Sequence, residues 1–166
     1  FSASTAVATY EIDGQEEYYE LGSGDEFIAD GETLSIDNLH TDSINDADDM
    51  NIIGVRLTMT YTEAEDTTGA TCNIPGGSGN AADDTITGTT MHGEYNETAS
   101  GTNNGNSGSH SVTVYWISNV SLLDLETVTM SKSDIIAEID AGGLGLGAYM
   151  AEISVDAEAG NTPPPE

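Results

Sequence analysis

Apolar side chains recur at every second position along much of this chain, and few folds accommodate that rhythm. In MNIIGVRLTMTYTE, Met50 to Glu63, the residues Ile53, Val55, Leu57, Met59 and Tyr61 fall on one face. Arg56, Thr58 and Thr60 fall on the other. A period of two, rich in branched and aromatic residues, is a half-buried β-strand. STAVATYEI repeats it, with Ala6, Ala8, Tyr10 and Ile12 opposing Thr5, Val7, Thr9 and Glu11. TITGTTM reads as a further strand. HSVTVYWIS sets Val112, Val114 and Trp116 against Thr113, Tyr115 and Ile117, and YMAEISVDAE turns Ala151, Ile153 and Val155 inward. In DEFIADGETLSIDNL the pair Asp30-Gly31 separates two short apolar runs, which predicts a hairpin.

One stretch breaks the alternation. In SKSDIIAEIDAGG, Ser131 or Ser133 can cap a helix, Asp134 suits its first turn, and Ile135, Ile136 and Ile139 form an apolar stripe. Gly142-Gly143 ends it. CNIPGGSGNAADD and NETASGTNNGNSGSHS are Gly-, Asn- and Ser-rich without apolar pattern and read as loops. The expected fold is all-β: an antiparallel β-sandwich, jelly-roll or immunoglobulin-like, with one short crossover helix near 133–141. The expected division is a terminal strand over 1–12, a sandwich domain over 13–158 and a proline-rich tail over 159–166.

Charge narrows the function. Thirty Asp and Glu stand against two Lys and Arg, for a net charge of −28. Nucleic acid is an unsuitable partner, because no basic patch exists to hold phosphates. An anionic membrane surface is excluded on the same ground. No run of eighteen apolar residues is present, so no membrane span is expected. Such a surface suits saline surroundings, where the Debye length falls to about 3 Å at 1 M salt. Phe1 opening directly into FSASTAVATY reads as a mature N-terminus after processing. Cys72 is the only cysteine, so no disulfide forms within the chain, and burial as a small apolar residue is expected.

Catalytic patterns are missing. His40, His92 and His110 are isolated, no G-x-S-x-G elbow or G-x-x-x-x-G-K loop occurs, and AGGLGLGAY follows a helix where a dinucleotide fingerprint follows a strand. An enzyme is not expected, and no cofactor is required. Calcium is the one metal with a candidate site: DSINDADDMN gathers Asp42, Asn45, Asp46, Asp48 and Asp49, all hard oxygen donors, although without EF-hand spacing. The alternative there is a solvated acidic loop. Asn96 in NET and Asn119 in NVS are acceptors for an N-linked glycan. Arg56 lies on the solvent side of its strand; it is expected to offset carboxylates there or to meet a charge between subunits, the alternative being recognition of a ligand carboxylate. Trp116 would serve a glycan site only if exposed, and core burial is the expectation.

Two resemblances follow from quoted residues. The block DGETLSIDNLHTDSINDADDMNIIGVRLTMTYTE, with the acidic composition, resembles small secreted β-sandwich proteins of marine planktonic archaea, which implies an extracellular, cell-surface location. The uncharged opening FSASTAVATYEI resembles the entry strand of TasA-like fibres and archaeal bundling pili. That resemblance implies donor-strand complementation, with Ala6, Val7, Ala8, Tyr10 and Ile12 entering a neighbouring copy. Type IV pilins and archaellins, which begin with a long apolar helix, do not fit. The expected function is an extracellular structural subunit of a homopolymeric surface filament. The alternative is a monomeric cell-surface adhesion module, glycan- or calcium-dependent.

Overall fold

A computed structural model describes residues 6–62, 84–103, 108–124 and 126–157. Eight strands appear among them: β1 (Val7–Ile12), β2 (Thr33–His40), β3 (Gly54–Tyr61), β4 (Asp84–His92), β5 (Tyr95–Asn103), β6 (Gly108–Tyr115), β7 (Glu126–Ser131) and β8 (Ala148–Asp156). Every pairing is antiparallel. A four-stranded sheet runs β2-β8-β4-β5, a two-stranded sheet pairs β3 with β6, and a second two-stranded sheet pairs β1 with β7. β4 packs against β3 and β6, so the first two sheets form the sandwich.

The expected faces meet in the middle. Met59, Ile86, Val112, Val114, Trp116, Tyr149 and Ala151 are buried. Gly88 lies opposite Met59, and a Cβ there would displace the Met59 thioether. Three buried ring side chains reach backbone carbonyls, whereas both ring nitrogens of His110 are buried without a partner among the described residues. Trp116 Nε1 donates to the Ile52 carbonyl at 2.6 Å, and the Tyr149 hydroxyl donates to that of Gly145 at 2.6 Å. His92 stacks on Tyr149 with ring centroids 4.1 Å apart, its two ring nitrogens facing the Ala148 and Leu144 carbonyls.

The crossover helix is α1 (Lys132–Ile139), between β7 and β8. Ser131 caps it, Oγ accepting the Asp134 N–H at 3.1 Å, and Ile135 is its buried residue. Asn51 fixes the other end. Its Nδ2 donates to the Ile139 carbonyl and its Oδ1 accepts the Ala141 N–H, both at 2.8 Å.

Two expectations are corrected. Asp30-Gly31 does form a turn, with Gly31 at φ +73, but no hairpin. Residues 13–29 contain no strand, and the Gly31 N–H donates to Val155 of β8. β2 therefore takes β8, not a preceding strand, as its partner. The stretch from Asn96 is also not a loop. Residues through Asn103 belong to β5, and Gly108 onward to β6. Outward hydroxyls carry β5: Thr98 and Ser100 bond Thr89 and Thr87 of β4 at 2.8 and 2.7 Å. Such hydroxyl pairs stabilise a sheet face that has no apolar signature. Cys72, the expected loop at 72–83 and the tail at 159–166 lie outside the described residues.

Candidate functional site

A groove of ≈ 860 Å³ lies between β3 and a strap formed by residues 13–29. Its floor is apolar, with Leu21, Ile52, Ile53, Val55 and Leu57, and its rim carries Glu16, Glu17, Tyr18, Tyr19, Glu20 and Arg56. The strap is tied down by side chains. Among the described residues, none between Gln15 and Ile28 makes a backbone–backbone hydrogen bond. The Gly14 N–H donates to the Leu123 carbonyl at 3.0 Å and pins the strap's start.

Glu16 is the centre of the tie. Its two carboxylate oxygens accept the hydroxyls of Tyr18 at 2.8 Å and Tyr115 at 3.0 Å. Arg56 lies over the Tyr18 ring, 4.5 Å from its centroid, and Nε donates to Thr113 Oγ1 at 2.9 Å. Guanidinium over a tyrosine face is a cation–π contact. Burial, then the Glu16 carboxylate, push Tyr115 up to about 12. The hydrogen bond to Glu16 raises Tyr18 as well, with Arg56 acting in the opposite sense.

β3 has an open edge beneath this tie. The Trp116 N–H donates to the Ile53 carbonyl, so Ile53 and Trp116 form a hydrogen-bonded pair. In an antiparallel ladder such pairs alternate with non-bonded ones. Val55, Leu57, Met59 and Tyr61 therefore bond β6, while the N–H and C=O groups of Gly54, Arg56, Thr58 and Thr60 point the other way. No backbone partner for those four is found among the described residues.

The residues singled out in the sequence are scattered. Ala6, Val7, Ala8, Tyr10 and Ile12 lie on or beside β1, which pairs with β7 of its own chain, from Val7↔Ser131 to Ile12↔Glu126. Val7 is 68% exposed, whereas Tyr10 and Ile12 are half-buried. Arg56 does face away from the core among threonines, as its alternation requires. Among the described residues its guanidinium makes no ion pair and lies over the Tyr18 ring, whose hydroxyl donates to Glu16. Asp42, Asp48 and Asp49 are exposed in two 3-10 turns, and Asn45 and Asp46 are exposed between them. Among the described residues no three carboxylate, imidazole or thiol groups lie together as a metal-binding group. Asn96 is exposed at the start of β5. Asn119 is half-buried, its Oδ1 accepting the Ser121 hydroxyl of its own sequon at 2.6 Å. Trp116 is in the core and not available to a sugar.

Sequence reasoning missed Glu16, Tyr18 and Tyr115 as a unit. The signal was QEEYYE, an acid–aromatic run without a period of two, next to the one arginine's strand. Comparison of the chain with known protein families, with curated proteins and with solved structures finds no match.

Proposed function

We propose that this protein is an extracellular structural subunit that polymerises by strand exchange, β1 of one copy pairing with a sheet of the next. One observation carries the reading: β1 and β7 stand as a two-stranded sheet of their own. Among the described residues β1 packs substantially on no element other than β7, and its Val7 is solvent-exposed. An isolated two-stranded ribbon is marginal in water, and its unpaired edge invites another strand. Leaving β7 for a longer, better-packed sheet is a downhill exchange for β1. The assembly is a homopolymer at the cell surface, N-glycosylated at Asn96 before Asn119, since Asn96 is the accessible acceptor. No catalytic role is assigned.

Negative-stain microscopy at moderate salt tests the reading. The full chain should form filaments, and a chain lacking residues 1–12 should remain monomeric yet take up a synthetic peptide of that sequence. A full-length chain that never polymerises, or a truncated one that still does, contradicts strand exchange.

A second reading has its own observation. Tyr18 and Tyr19 are 59% and 52% exposed, and their hydroxyls bond Glu16 and Glu17. Exposed rings beside carboxylates suit a sugar face, so a monomeric glycan-binding module would use the strap and not Trp116. Sugar binding by a strictly monomeric wild-type chain, lost in Tyr19→Ala, would favour it.

A further inference from the structure

We propose that the edge of β3 that has no backbone partner among the described residues is the acceptor for β1 of a second copy, and that the strap is a removable cover whose release is coupled to donation of β1. The inference rests on the strand-exchange reading and specifies its other half. Three observations carry it.

Charge comes first. β3 (GVRLTMTY) and β6 (GSHSVTVY) contain no acidic residue, whereas each of the other six strands carries at least one. Two copies of a −28 chain repel almost everywhere. The sheet that holds the only arginine and no carboxylate is where a second copy meets least repulsion. The four residues Val7–Tyr10 of β1 are likewise uncharged.

Edge regularity is the second. β2 also has an open side, but its ladder shifts between Ile36 and Leu39, and Asn38 there has φ +62. Bulges of this kind blunt an edge against pairing. β3 keeps one register through eight consecutive pairs. Its outward N–H and C=O groups form a regular row that the six residues of β1 can match.

The third is what covers that row. The strap places Glu16, Glu17 and Glu20 along the groove, and among the described residues it is held by the Gly14 N–H on Leu123, by Glu16, Tyr18, Arg56 and Tyr115, by Gly22 against Leu39 and by the Leu21 side chain. Among the described residues, no backbone–backbone bond between Gln15 and Ile28 has to break. β1 ends at Ile12 and the strap begins at the next residue. A copy that gives up β1 therefore loosens its own strap and bares its own β3. Donation then prepares acceptance, so the first exchange is slow and the following ones are fast.

Thr58→Pro tests the edge. The Thr58 N–H points away from β6, and proline is tolerated on the open side of an edge strand. The variant should stay folded by its Trp116 fluorescence, leave at least ten-fold less pelletable polymer than the wild type, and cap wild-type filaments at low ratio because it still donates β1. If wild type and Thr58→Pro polymerise alike, the acceptor assignment falls while strand exchange stands. If the wild type never polymerises, both fall. Should Thr58→Pro not fold, hydrogen exchange on the wild type decides. Amides of Gly54, Arg56, Thr58 and Thr60 should slow at least a hundred-fold on assembly, with Val55, Leu57 and Met59 protected throughout; unchanged rates overturn the edge. Tyr18→Ala should shorten the lag several-fold, and an unchanged lag overturns the strap's coupling.

Discussion

Asn51→Ala is the perturbation that best tests how the loop before β3 is tied to the helix end. The side chain makes two hydrogen bonds of equal length, but they are not equal in effect. The Ile139 carbonyl is in an exposed setting, where water replaces a lost donor. The Ala141 N–H belongs to a residue only 3% exposed, where water does not reach. A net hydrogen bond contributes about 0.5–1.5 kcal/mol, and a buried amide left unpaired costs about 1–3 kcal/mol. Adding the smaller value for Ile139 to the middle of the range for Ala141 gives a loss of about 2–3 kcal/mol. Asn51→Asp separates the two, since its carboxylate still accepts from Ala141 but faces the Ile139 carbonyl at the negative end of the helix. Its loss should be about 1–2 kcal/mol and should shrink with salt, unlike that of alanine. Urea unfolding in 1 M salt reads both through Trp116, the only tryptophan and a buried one. With a slope of about 2 kcal/mol per molar urea, Asn51→Ala should lower the midpoint by about 1 M. A change below about 0.5 kcal/mol would show that the helix end does not depend on Asn51.

Burial raises Tyr149 to about 12 from 10.0. The folded chain thus keeps a proton that the unfolded chain loses, and stability that is complete below pH 10 declines between pH 10 and 12, by up to about 1.4 kcal/mol per pH unit. Tyr149→Phe should flatten that decline and cost about 1–2 kcal/mol at neutral pH through the unpaired Gly145 carbonyl; an unaltered alkaline slope in pH-dependent unfolding would contradict it. Gly88→Ala should destabilise by about 1–3 kcal/mol through overpacking on Met59, and Met59→Val in the same chain should recover part of the loss. Strictly additive effects in that double-mutant cycle would show that the two residues are not in contact.

The strands legible in the sequence were those with one apolar face against one polar face. Val55, Leu57 and Met59 alternate with Arg56, Thr58 and Thr60 and needed no tertiary information to be placed. The helix was legible for another reason: Ser131, Asp134 and the spaced isoleucines are local signals that tertiary packing did not override. β5 failed both tests. Its partly buried positions, Tyr95, Ala99 and Gly101, include two too small to register as apolar, and Gly101 is small because His110 lies against it. The Asp30-Gly31 turn was read correctly as a turn, but nothing local tells whether the chain before a turn pairs with the chain after it. The groove was illegible because its parts, Glu16, Arg56 and Tyr115, are far apart in sequence and joined only by the fold.

The acids explain why so much of the sheet surface is hydroxyl. Cross-strand pairs on an exposed face are commonly stabilised by opposite charges, and like charges directly opposite destabilise. A chain with two cations cannot supply the opposite charges. Threonine and serine take the place instead. Thr87 meets Ser100 and Thr89 meets Thr98 across β4 and β5, Thr60 meets Ser109 across β3 and β6, and Thr9 meets Thr129 across β1 and β7. Neutral pairs of this kind are indifferent to salt, so the sheets hold together whether or not the carboxylates around them are screened. Contact between copies is not indifferent, because it brings two −28 surfaces together. On the proposed assembly, salt should therefore act more on contact between copies than on these neutral cross-strand pairs.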